Sequence, residues 1–174
     1  MVVPQVGGTL IVDGVTFTLA QFHFHTQSEH KISGKYGTME LHTVFQDSNS
    51  NFAVIGVLYK IGRENPFLSK LLTAGLPRKT TSPPVVIEGL NLAEGLIGST
   101  SYYTYPGSLT TTPCTETVTW IMLKQRAQMS EEQFAAFQGI LGNDFRPTQE
   151  LNGRIIRMTP KRSSSDGNSS EGDD

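Results

Sequence analysis

Only one cysteine, Cys114, occurs in the chain, so no disulfide can form within it. On composition alone that residue reads as a buried free thiol. No stretch approaches the roughly 20 apolar residues that a membrane helix needs. No basic-then-apolar leader follows Met1, so neither a membrane segment nor a signal peptide is expected in this chain. Charge of one sign is lacking too: 14 Lys and Arg against 16 Asp and Glu leave a formal charge of −2. That balance excludes a general attraction to nucleic acid or to anionic membranes. What is present suits one soluble globular domain: 174 residues, 37% of them apolar and 17% charged.

The first hundred or so residues read as strands and turns. Thr16–His25 alternates strictly, which predicts Phe17, Leu19, Gln21, His23 and His25 on one face and Ala20, Phe22 and Phe24 on the other. Thr38–Gln46 alternates as well, setting Glu40, His42 and Val44 against Met39, Leu41 and Phe45. Ala53–Ile61 and Thr117–Lys124 are denser apolar runs, as strands covered on both faces are. Val12-Asp13-Gly14 and Ser33-Gly34-Lys35 signal turns. Two short helices are expected. Asn65 caps the first, Pro66 opens it, Phe67, Leu68, Leu71 and Leu72 form its stripe, and Gly75 ends it. Ser130 and Gln133 make a capping box for the second, with Phe134, Phe137 and Leu141 on one side and Gly142 as terminator. Residues 1–160 therefore read as one mainly-β domain with a few peripheral helices, and 161–174 as a disordered polar tail.

All four histidines fall between His23 and His42. His23 and His25 share a strand face, and His42 lies on a second strand. If the two strands pair antiparallel, about 4.8 Å apart, three imidazoles can converge on one ion. With no cysteine nearby, the set would be three neutral nitrogens and an open fourth position, an arrangement more often catalytic than structural. A histidine on a strand is more often a hydrogen-bonded core or surface residue, and His-x-His alone leaves that alternative open. Gln21 and Glu40 each stand two residues before a histidine on the same face. They suit the oxygen acceptors that metal-bound imidazoles need for their outer N–H.

The run Gln21-Phe22-His23-Phe24-His25-Thr26-Gln27-Ser28-Glu29-His30, followed by Met39-Glu40-Leu41-His42, resembles the zinc signature of α-class carbonic anhydrases, in its bacterial and plant form. Three further blocks match in the family's order: Tyr102–Thr111, Cys114-Thr115-Glu116 through Trp120, and Phe145-Arg146-Pro147 with Leu151-Asn152-Gly153-Arg154. The resemblance implies a large, mostly antiparallel twisted sheet lacking the family's N-terminal strands. It implies Zn2+ held by His23, His25 and His42, with Gln21 and Glu40 behind them. It also implies a lyase converting carbon dioxide to bicarbonate through zinc-bound hydroxide. In that scheme Thr110 accepts a hydrogen bond from the hydroxide and passes its own proton to Glu29. Thr111 helps place bicarbonate, and Val44, Val54, Leu109, Val118 and Trp120 wall in carbon dioxide. His30 is a structural, non-ligand histidine partnered by Tyr105. Three imidazoles leave zinc able to lower the pKa of bound water to about 7, a value for which carbonic anhydrases are themselves the standard case.

Departures from the family pattern are Thr112, where proline is usual, and Phe45, where a further histidine is common. Family members also carry several dozen residues upstream of Val6. In secreted members the counterpart of Cys114 often pairs with a cysteine in that segment, which implies an extracellular or periplasmic origin. Asn168-Ser169-Ser170 matches a glycosylation sequon of low specificity. A cupin-like protein would need a later histidine, and none follows His42. A non-catalytic binding module or inactive fragment of the same ancestry is the other alternative, although members that lose catalysis typically lose a zinc ligand.

Overall fold

The structure, a computed structural model, describes residues 7–76, 87–97 and 101–159. The polar tail expected at 161–174 and its sequon lie outside them. Strand β1 (Thr9–Val12) turns tightly into β2 (Val15–Thr26). The turn is made by Asp13 and Gly14 at φ 49° and 80°, the left-handed pair that a two-residue hairpin requires. The short hairpin of β3 (Lys31–Ile32) and β4 (Lys35–Tyr36) turns the same way at Ser33 and Gly34. Next come β5 (Met39–Gln46), β6 (Phe52–Ile61), α1 (Pro66–Ala74), β7 (Tyr102–Gly107), β8 (Val118–Leu123), β9 (Ala127–Met129), α2 (Glu131–Leu141) and β10 (Arg157–Met158).

One large sheet runs in the order β1-β2-β5-β6-β8-β7-β10, with β9 also paired to β6. Its pairs are antiparallel except β6 with β8 and β6 with β9. Both helices are capped as their sequences specify. The Asn65 side chain accepts from the Phe67 and Leu68 amides, and Ser130 and Gln133 form the reciprocal capping box. The helices lie against one face of the sheet, where Phe67, Leu68, Leu71 and Phe137 join Phe22, Phe24, Leu41, Val57 and Tyr59 in the main core. Phe24 packs against Phe137 with the rings tilted and their centroids 4.9 Å apart.

The alternation expected along the whole of Thr16–His25 is interrupted. A β-bulge between Leu19 and Gln21 leaves Ala20 without a partner, so Leu19 pairs with Phe45 while Gln21 pairs with Val44. Phe17 and Leu19 therefore leave the histidine face and pack with Phe45 and Ala53 instead. Beyond the bulge the register runs His23 to His42 and His25 to Glu40. Val54 on β6, opposite Val44, and Trp120 on β8, opposite Val54, continue the histidine face away from the helices. Phe45, where the family often has histidine, is buried on the other side.

Candidate metal centre

The β2–β5 register brings His23, His25 and His42 together, with one nitrogen of each inside a cluster no wider than 4.8 Å. The opposite nitrogen of each ring meets an oxygen. His23 Nδ1 lies 2.8 Å from Gln21 Oε1. His42 Nε2 lies 2.8 Å from Glu40 Oε1. His25 Nδ1 lies 2.9 Å from the main-chain oxygen of Asp144. A neutral imidazole has one N–H. Once each ring donates it outward, three lone pairs point inward from His23 Nε2, His25 Nε2 and His42 Nδ1.

Without a shared proton, such an arrangement is repulsive. His23 Nε2 and His42 Nδ1 are 3.3 Å apart, and His25 Nε2 is buried with no hydrogen-bond partner among the described residues. A tetrahedral zinc ion with nitrogens at about 2.0–2.1 Å sets them about 3.3 Å apart, so the donor set fits that ion. Protonation is no substitute. Burial, then the neighbouring His42 and His25, push the His23 pKa down to about 2. Burial also lowers that of His42, against the pull of Glu40.

Glu40 is fully buried and takes four donors. Oε1 receives His42 Nε2 at 2.8 Å and His30 Nδ1 at 2.6 Å. Oε2 receives the amides of Glu29 at 2.8 Å and His30 at 3.0 Å. Burial opposes its ionisation, but the two histidines outweigh that and hold its pKa well below the ordinary carboxylate range. His30 shows the same balance: burial opposes its charge, yet Glu40 raises its pKa. Its Nε2 lies 2.6 Å from the Tyr105 hydroxyl. His30, Glu40 and His42 thus form a chain of direct hydrogen bonds, with spacings too short for an ion between them.

A cavity of about 550 Å³ opens on the three histidines, lined also by Val44, Val54, Leu109, Thr110, Thr111 and Trp120. Val118 is not among its lining residues; it is buried on the same face of β8 as Trp120, two positions away, and clusters with Trp120 and Val54. The indole of Trp120 is set by a 3.1 Å hydrogen bond to Ser108 O and by contact with the His42 ring, centroids 4.7 Å apart. Glu29 is buried. Its Oε1 accepts from the Arg146 amide at 2.7 Å, while Oε2 has no hydrogen-bond partner among the described residues and lies 3.5 Å from His25 Nε2. Among the described residues no hydrogen bond joins Thr110 to Glu29, although Thr110 lines the histidine cavity. Asp144 and Ile140, also at the cavity, were not foreseen. Asp144 acts there through a main-chain oxygen, which no residue type signals.

A mostly-β sheet presents three outwardly tied imidazoles, two of them buried and His23 partly so, beside an apolar cavity, a donor set able to hold a metal ion. The family model described as eukaryotic-type carbonic anhydrase matches residues 3–160, and the chain belongs to that family. A carbonic anhydrase of Klebsiella pneumoniae is 38% identical over 149 residues, covering 85% of this chain and 60% of that protein. Alpha carbonic anhydrase 7 of Arabidopsis thaliana is 35% identical over 162 residues, covering 87% and 57%. The α-carbonic anhydrase of Thermovibrio ammonificans, solved with the inhibitor sulfanilamide, superposes with a TM-score of 0.84 at 40% identity, covering 88% of this chain and 68% of that one. The chain thus spans about 60% of the length of the curated relatives it matches.

Proposed function

We propose that this chain binds one Zn2+ ion through His23 Nε2, His25 Nε2 and His42 Nδ1 and catalyses the reversible hydration of carbon dioxide to bicarbonate. The observation that carries the reading is the three inward lone pairs, each fixed by an outward N–H bond to Gln21, Asp144 or Glu40. Bound zinc supplies an acidified water, and hence a nucleophile at neutral pH. The protein's own contribution is orientation and exclusion. Val44, Val54, Leu109 and Trp120, with Val118 clustered beside Trp120 and Val54, give an uncharged, weakly polar substrate a surface that does not compete for it with hydrogen bonds. Thr110 offers a hydroxyl at the reacting position, and Thr111 stands beside it for the charged product. The free Oε2 of Glu29 is the acceptor for the Thr110 proton, and Oε1 stays tied to Arg146.

The test is zinc content and carbon dioxide hydration of the wild-type chain and of His42→Ala. Stoichiometric zinc and hydration in the wild type, both largely lost in the variant, is the expected result. Full zinc retention by the variant rejects the ligand set. Zinc without hydration in the wild type identifies a non-catalytic binding module.

A further inference from the structure

Strand β1 covers only the Val15–Thr18 part of β2. Among the described residues, the outer edge of β2 that carries His23 and His25 therefore has no strand beside it. Its end is held instead by an irregular segment that follows α2. Gly142, at φ 68°, turns the chain out of the helix. Residues 142–146 then run past the end of β2 and make four bonds to the site. The Thr26 hydroxyl donates to Gly142 O. His25 Nδ1 meets Asp144 O at 2.9 Å, and the Thr26 amide donates to Asp144 Oδ1 at 3.0 Å. The Arg146 amide donates to Glu29 Oε1 at 2.7 Å.

Only the Asp144 bond to Thr26 uses a side chain of the segment. Thr26 is 1% exposed, so its amide needs an acceptor, and a buried amide without one is costly. We propose that Asp144 is a positioning residue for the metal centre. Its carboxylate pins the segment to β2 and thereby aims two main-chain groups, the oxygen that fixes the His25 tautomer and the amide that orients Glu29. The inference rests on the reading of His25 as a zinc ligand. Among the described residues the carboxylate makes no hydrogen bond to an inward nitrogen, although Asp144 lines the cavity. Its second oxygen lies 3.8 Å from His25 Nδ1, beyond hydrogen-bond reach. The Asp144 side chain is 34% exposed, so its truncation opens no core cavity.

The experiment compares wild type, Asp144→Ala and Asp144→Asn as full chains. Zinc affinity is read by chelator competition, and the His25 Nδ1 proton by nitrogen-15 NMR. Asp144→Ala should lose roughly 10–100-fold in zinc affinity, as loss of an outer partner of a metal ligand does, and its His25 Nδ1 proton should exchange faster with solvent. Asp144→Asn keeps an oxygen facing the Thr26 amide and should restore both readouts to near wild type. Equal zinc affinity in wild type and Asp144→Ala overturns the proposal. So does an Asp144→Asn variant as impaired as the alanine, since charge rather than pinning would then be at work. The proton readout needs no zinc and decides the matter even if the alanine variant binds none. A wild-type chain that takes up no zinc overturns the metal reading itself.

Discussion

Replacing Glu40 by Gln changes one buried atom from acceptor to donor, and the structure dictates where that donor goes. The Glu29 and His30 amides facing Oε2 are main-chain donors that cannot adapt, so the glutamine oxygen must take that place. The new NH2 then faces His30 Nδ1 and His42 Nε2. Both rings can answer by moving their proton to the other nitrogen. For His30 this is harmless, because Nε2–H can donate to Tyr105. For His42 it puts N–H on Nδ1, among the inward nitrogens and 3.3 Å from His23 Nε2. Zinc can bind only if that proton returns to Nε2 and faces another donor. One buried, unsatisfied donor costs about 1–3 kcal/mol, so zinc affinity should fall roughly 5- to 150-fold. Chelator competition measures this, and circular dichroism of the metal-free variant should show a retained fold. A Glu40→Gln protein that binds zinc as tightly as wild type would refute the tautomer argument.

Thr110→Ala should retain zinc but slow carbon dioxide hydration by at least about tenfold, because an orienting hydrogen-bond partner in the reacting position is typically worth a few kcal/mol; equal rates in a stopped-flow assay would remove Thr110 from the mechanism. Gly56→Ala should lower stability by about 1–3 kcal/mol, since a Cβ there would overlap the buried Met122 sulfur. The melting temperature should drop by roughly 2–12 °C, and adding Met122→Ala should cost less than the sum of the two single changes. The metal-free protein should also lose stability as pH falls below 6.5: the unfolded chain protonates His23 near that value, whereas the native site resists down to about 2. Each such histidine contributes a slope of about 1.4 kcal/mol per pH unit. Burial of His42 acts in the same window, the depressed pKa of Glu40 adds its loss only below 4.5, and the raised His30 loses its contribution as pH rises above 6.5. Thermal melts between pH 5 and pH 8 in the presence of a chelator would read the trend, and a flat profile would contradict it.

Those features that depend on local order were legible in the residues. The capping side chains Asn65 and Ser130 act on amides two or three positions away. Gln21 and Glu40 reach their histidines because residues two apart share a strand face. The bulge left no mark, since Ala20 is neither glycine nor proline and both halves of β2 alternate correctly on their own. Asp144 was invisible for a different reason: its contact with His25 spans 119 positions and uses a backbone atom common to every residue. Val118 has the chemistry of a cavity wall and shares a strand face with Trp120, yet position along β8, two residues away, leaves it out of the cavity lining. The loop carrying Thr110 obeys no strand periodicity, so its relation to Glu29 could not be read from spacing.

The unpaired Ala20 frees the two halves of β2 from a single alternation. Upstream of it Phe17 and Leu19 pack with Phe45 and Ala53, and downstream Gln21, His23 and His25 turn to the opposite face of the sheet. Removing Ala20 itself would join Leu19 directly to Gln21 and leave every side chain on the face it now occupies. Removing one residue between Gln21 and His25 has no such slack, because a one-residue slip moves the residues beyond it to the other face. The strand's length should therefore tolerate a deletion at the bulge and none within the histidine half.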